Sequence, residues 1–220
     1  MPKTGCSSLK SFLYEALLPE TGLPEKYLIE YKKDPHAGII DSPFVKPYQI
    51  GGKRFLSMMM SGDFFIFTVV REPVSRLISA YRDKIRRNKP QSRGVLRYYE
   101  AHGRNLNRDA RNISLNDFAR YVCSIKGSRN YDSHWRPQFF QTSPDVIPYS
   151  KVLKFENLNN EMKFLADRYG LSWDFRRLNA SEESKENTND VFMDDSIYDL
   201  ILQTYKKDYN EFQYKLPKSN

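Results

Sequence analysis

The sequence predicts an α/β fold, a parallel sheet covered by helices, on the strength of three stretches. "DFFIFTVV", residues 63–70, is a continuous apolar and β-branched run, the pattern of a strand buried on both faces. It ends abruptly at Arg71-Glu72-Pro73, and Val74, Leu77, Ile78 and Tyr81 then recur at helical spacing behind a proline suited to a first helical turn. A second short strand, "KVLKF" at 151–155, is again followed by a helical pattern, from Leu158 to Tyr169. Strands alternating with helices are the mark of a layered α/β architecture.

The remaining elements follow in order. Residues 7–17, "SSLKSFLYEAL", carry apolar side chains at 9, 12, 13, 16 and 17, which predicts a helix with a serine cap. The preceding "PKTGCSSLK" therefore feeds a helix N-terminus, where unpaired N–H groups and the dipole suit an anion and Lys3 adds a full charge; an ordinary capped turn would read the same way. "KYLIEY", 26–31, reads as a strand ending in a polar turn that carries His36, and Gly51 to Met60 as a short helix. A basic loop, 82–112, leads to a helix over Leu115 to Ile125. Beyond an irregular stretch containing "YDSHWRPQFF", a last helix is expected from Asp195 to about Phe212. "NASEESKENTND", 179–190, is too hydrophilic to pack and is expected to be a flexible loop. At 220 residues, one domain spanning 1–220 is the expectation.

Composition narrows the function. Hydrophobic residues make up 40% and aromatic residues 14% of the chain, which excludes a disordered polyelectrolyte. No apolar run approaches the ~20 residues of a membrane span, and the first residues do not resemble a signal peptide. Cys6 and Cys123 cannot form a disulfide framework, and with His36, His102 and His134 scattered no metal-ligand spacing appears, so no metal is expected. The net charge of +8 is concentrated: residues 82–111 hold ten Lys or Arg against three acids. With Tyr98 and Tyr99 interleaved, that segment suits a polyanion such as nucleic acid, an acidic glycan or a phosphorylated ligand; a solvated charged surface is the plainer reading.

Three separated segments together resemble one family, the sulfotransferases that use 3′-phosphoadenosine 5′-phosphosulfate (PAPS), in particular the carbohydrate-sulfating, Golgi-type branch. "PKTGCSSLK" is similar to that family's 5′-phosphosulfate loop and "VVREPVSRLISAYRDK" to its 3′-phosphate segment. "SHWRPQ" followed by "KFENL" is similar to its later signature, and "YKKDYNEFQY" to its last helix. The resemblance implies a three-layer fold like that of P-loop NTPases. It also implies a donor loop of Lys3, Thr4, Gly5, Cys6, Ser7 and Ser8, with backbone N–H groups and the Lys3 ammonium on the 5′ end, and a 3′-phosphate held by Arg71 and Ser79. An arginine fork matches phosphate geometry. The implied reaction is in-line transfer of a sulfuryl group to a hydroxyl of a carbohydrate or glycan, possible acidic acceptors included, without an obligatory metal. Such a reaction needs a cation at the leaving oxygen, for which Lys3 is placed, and a base for the acceptor proton. His36 stands where glycan-sulfating relatives carry a catalytic histidine; His134 in "SHWRPQ" competes with it. Cys6 is expected to be a small packing residue, and Arg76 and Arg82 remain open between surface charge and acceptor contact.

Two departures from the family pattern shape further expectations. The phosphosulfate loop normally follows a central apolar strand, yet only Met1 and Pro2 precede Lys3, so the first central strand is expected to be missing or truncated. "FFQTSPDVIPY" lacks the paired cysteines of animal Golgi members, which points to a reducing compartment and a cytoplasmic protein, or to the Golgi lumen if an upstream anchor has been lost. Rival readings are a nucleic-acid or polyanion-binding module built on 82–111, and a catalytically inactive relative. A nucleotide kinase is disfavoured because its G-x-x-x-x-G-K-[ST] loop is absent, and no nucleic-acid partner is expected.

Overall fold

The computed structural model describes residues 3–21, 45–171 and 194–216. The predicted strand at 26–31, His36 and the hydrophilic run 179–190 lie outside the described residues. In chain order the elements are α1 (Cys6–Thr21), α2 (Pro47–Ile50), α3 (Gly52–Met60), β1 (Phe67–Val70), α4 (Pro73–Ala80), α5 (Arg93–Ala101), α6 (Leu115–Ser124), α7 (Gln138–Thr142), β2 (Lys151–Lys154), α8 (Leu158–Tyr169), α9 (Asp195–Thr204) and α10 (Lys206–Glu211). The mixed α/β class is present: the described residues are rich in helix, with one small parallel sheet in which β1 and β2 are neighbours.

The chain divides into two compact units. One is formed by residues 5–69 and 144–184. Its core gathers Phe12 from α1, Val69 from β1, Leu153 from β2, and Leu158, Met162 and Leu165 from α8. The apolar run 63–70 is strand only in its second half. Pairing begins where the Ser150 and Lys151 N–H groups reach the Ile66 carbonyl, at 2.7 and 3.3 Å; before that point Phe65 packs edge-on against Tyr169 at 5.9 Å and Phe64 stays exposed. Gly5 opens α1 with φ 74° and its carbonyl accepts the Leu9 N–H at 2.9 Å. A Cβ at Gly5 would stand 2.8 Å from Leu158 Cδ2 and 3.0 Å from the Phe155 ring, so this turn requires glycine for both conformation and space.

The other unit comprises residues 1–4, 70–143 and 185–220. Val74 and Leu77 of α4, Phe118 and Val122 of α6, and Ile197 and Ile201 of α9 form its core together with Trp135, whose indole meets the Phe118 ring edge-on at 5.2 Å. The helix starts are self-capped. Ser114 and Asp117 exchange side-chain and backbone hydrogen bonds at the head of α6, and the Glu72 carboxylate accepts the Val74 and Ser75 N–H groups at the head of α4.

Two expectations change here. The segment 82–112, read as a basic loop, is largely built into the core. One π-helical turn, Tyr81–Ile85, extends α4; α5 buries Val95 and Leu96; and Leu106 and Ala110 are buried beyond it. Its tyrosines face inward as well, Tyr99 donating to the Asp117 carbonyl at 2.7 Å and Tyr98 packing on Tyr121 at 5.3 Å, so they are not free stacking platforms. The single last helix is interrupted at Tyr205 into α9 and α10, and Tyr205 is buried and donates its hydroxyl to the Trp135 carbonyl at 2.5 Å.

Candidate functional site

The turn that ends β1 is fixed by residues far away in the chain. Arg71 N–H donates to Gln138 Oε1 at 2.8 Å, and Gln138 Nε2 donates back to the Arg71 carbonyl at 2.7 Å, a strand-like pair made by a buried side chain. Gln138 is in turn held from α10: Asp208 accepts the Gln138 and Phe139 N–H groups at 2.7 and 2.8 Å, capping α7. Burial pushes the Asp208 carboxyl up, against the pull of those N–H groups and of Arg76. Beside them the Tyr209 hydroxyl donates to Glu72 Oε1 at 2.7 Å. Motifs near residues 71, 138 and 208 thus serve to hold one backbone turn still, and the half-buried Arg71 extends from it.

Arg71 Nη1 reaches the Lys3 carbonyl at 3.3 Å. Lys3 adopts a left-handed φ of 66°, unusual for a residue with a Cβ, and its ammonium donates to Asp83 on the π turn. Lys84 and Lys89 hold the same carboxylate, at 3.0 and 2.6 Å. Burial pushes the Asp83 carboxyl up, but the hydrogen bonds from Lys3, Lys89 and Lys84 outweigh it and hold the group far below the usual carboxylate range. Three ammonium groups on one carboxylate leave an excess of positive charge facing this place.

His134 lies in the same unit. Asp132 Oδ1 accepts both its backbone N–H, at 2.8 Å, and its ring Nδ1, at 2.6 Å. Burial pushes the Asp132 carboxyl up, yet the bonds from His134, with the His134 and Lys84 charges, hold it below its ordinary value. A proton on Nδ1 is implied, leaving Nε2 as the basic nitrogen. The turn that carries this pair is rigid: Arg76 is fully buried and donates to the Arg136 and Ser133 carbonyls at 2.8 and 2.9 Å. Arg76, left open between surface charge and acceptor contact, is therefore a buried brace. Lys84 links the two carboxylates electrostatically, touching Asp83 and acting on Asp132.

Of the residues expected at the site, Lys3 and Arg71 are brought together, Thr4 and Ser8 are buried, and Ser7 and Ser79 are half-buried, Ser79 near the end of α4. The Cys6 side chain and His36 lie outside the described residues. Among the described residues no group of His, Cys, Asp and Glu could hold a metal ion. Sequence reasoning did not single out Asp83, Asp132, Gln138 or Asp208, and Lys84 and Lys89 entered it only as part of the basic segment 82–111. Asp132 carried a readable signal, an Asp two residues before a His; the Lys3–Asp83 and Arg71–Gln138 pairs join residues 80 and 67 positions apart and left none.

Residues 1–215 match the model of the sulfotransferase family. Over 99% of its length the chain is 23% identical to carbohydrate sulfotransferase 14 of Danio rerio, of which it covers 59%. It is 24% identical to carbohydrate sulfotransferase 11 of Mus musculus over 69% of the chain and 47% of that protein, and 31% identical to carbohydrate sulfotransferase 8 of Homo sapiens over 43% and 24%. The chain thus spans less than two thirds of the length of these curated relatives. No solved structure gives a significant match. The expected cytoplasmic location is corrected by these matches, which fall in the carbohydrate-sulfating, Golgi-type branch; missing paired cysteines were no guide to compartment. A family match that covers residues 1–215 of the 220 leaves one assignment: this chain belongs to the sulfotransferase family.

Proposed function

We propose that the protein transfers a sulfuryl group from PAPS to a hydroxyl of a carbohydrate, in a three-layer, P-loop-like fold of which β1, β2 and their helices are part. The observation that carries the reading is the approach of Lys3 and Arg71, residues of two motifs 68 positions apart, which share a hydrogen bond. The family match and the relatives' names support the same reaction class.

Each of the two units carries residues of a kind that suits an anionic group of such a donor. Gly5 to Ser8 are the residues proposed for the phosphosulfate end, and the steric need for glycine where the Gly5 turn enters α1 keeps that turn tight. Arg71 and Ser79 would hold the 3′-phosphate, Arg71 from a backbone clamped by Gln138. The donor itself supplies the activated sulfuryl group and a phosphate leaving group. Lys3 offers positive charge where negative charge develops on the leaving oxygen. His134, its Nδ1 held by Asp132, presents Nε2 to take the acceptor hydroxyl's proton; His36 is the other residue proposed for that proton.

Titration with 3′-phosphoadenosine 5′-phosphate should raise the melting temperature without magnesium, Arg71→Ala should lose most of that rise, and labelled PAPS should pass its sulfuryl group to at least one member of a glycan panel. Stabilisation by ATP alone, and only with magnesium, would overturn the reading.

A further inference from the structure

Asp83 lies outside the phosphosulfate loop, the 3′-phosphate pair and the His134 turn, yet it is the partner of the lysine on which the reaction depends. Lys84 and Lys89 come from its own stretch of chain and are natural neighbours of a carboxylate on the π turn. Lys3 comes from 80 residues away. The Lys3 and Asp83 side chains are only 18% and 21% exposed, so their attraction is screened less than that of a surface pair. Both ends of Lys3 are then fixed, its carbonyl by Arg71 and its ammonium by Asp83, around a left-handed backbone. π-helical turns are uncommon and concentrate at functional sites, and this one aims Asp83 at Lys3.

We propose that Asp83 is a positioning residue that fixes the Lys3 ammonium and keeps it charged for sulfuryl transfer. The inference rests on the sulfotransfer reading above. The charged groups acting on the Lys3 ammonium are Asp83, Lys84 and Lys89, and their signs differ. Burial, the largest effect, lowers the pKa of Lys3 below its ordinary value; Asp83 opposes this by hydrogen bond and charge, and Lys84 and Lys89 reinforce it. Removing the Asp83 charge therefore makes Lys3 lose its proton at lower pH. Removal of the Lys89 charge does the reverse.

The test reads Lys3 itself. Pulsed acetylation with acetic anhydride across pH, quantified on the Lys3 peptide by mass spectrometry, reports the neutral amine. Asp83→Asn should acetylate Lys3 severalfold faster near pH 8, because more of the amine is then neutral. Asp83→Glu should restore the wild-type curve, and Lys89→Gln should move it the opposite way. The alkaline limb of kcat should follow the acetylation midpoint in each variant. Unchanged Lys3 acetylation in Asp83→Asn overturns the proposal, as do shifts of the same sign in Asp83→Asn and Lys89→Gln, the signature of mere loosening. An acetylation shift with an unmoved alkaline limb overturns it too, because the charge would then play no part in transfer. If Asp83→Asn does not fold, Lys89→Gln and Asp83→Glu decide by the same criteria. Wild-type protein that binds 3′-phosphoadenosine 5′-phosphate but sulfates no acceptor sinks the sulfotransfer reading instead, while acetylation still decides whether Asp83 holds the charge.

Discussion

At the scale of single residues, the Asp132–His134 pair makes a sharp kinetic claim. A carboxylate on Nδ1 fixes the tautomer and ring orientation, so His134→Ala should lower kcat on the order of a hundredfold or more while the affinity for 3′-phosphoadenosine 5′-phosphate, read by calorimetry, stays near wild type. Asp132→Asn should cost less, because an amide keeps a partner at Nδ1 but does not select the tautomer as strongly. Near-normal turnover in His134→Ala together with a dead His36→Ala would assign the proton to His36. The candidate residues were legible where a motif is local: Lys3, Gly5 and Arg71 stand out within short runs of sequence. Their partners were not. Nothing in the identity of Gln138 or Asp83 announces that one will clamp the Arg71 backbone and the other take the Lys3 ammonium, since both contacts exist only after the chain has folded back on itself.

Elements were easiest to read where periodicity and cap agree. The helices α1, α6 and α8 and the strand β2 lie close to their predicted bounds, since each joins an apolar stripe or run to a clear start signal. The helix α5 was hidden by its own charge: the Arg and Lys around it dominate the composition, yet Val95, Leu96 and Tyr99 keep helical spacing and pack inward. The interruption at Tyr205 was not readable, since its buried ring and its hydroxyl bond to Trp135 are tertiary contacts no local pattern contains. The start of α1 offers a test at this scale. Gly5→Ala should destabilise the protein by about 1–3 kcal/mol, from the left-handed backbone plus the displacement of Leu158 and Phe155, read as a lower denaturant midpoint at unchanged slope. A midpoint within error of wild type would show that the turn relaxes without glycine.

For the whole molecule, charge and packing separate what the basic segment can do. Its net excess survives in the structure, but unevenly: Lys84 and Lys89 are committed to Asp83, Arg104 to Asp117 at 2.6 Å and Arg111 to Asp109 at 2.7 Å. Arg93 and Arg97 are different. They lie four residues apart on α5, exposed and without an ion pair among the described residues, while Val95 and Leu96 of the same helix turn into the core. A pair of this kind contributes little to folding and acts instead through the long-range field, which attracts an acidic partner and fades as the ~8 Å Debye length of physiological salt shortens further. Should the acceptor be an acidic glycan, Arg93→Gln with Arg97→Gln should raise its KM severalfold at low salt and flatten the rise of KM with ionic strength, leaving kcat, donor affinity and melting temperature nearly unchanged. A neutral acceptor should show no such dependence in either protein. The same KM and salt slope in wild type and double variant on an acidic acceptor would mean that this face plays no part in attracting it.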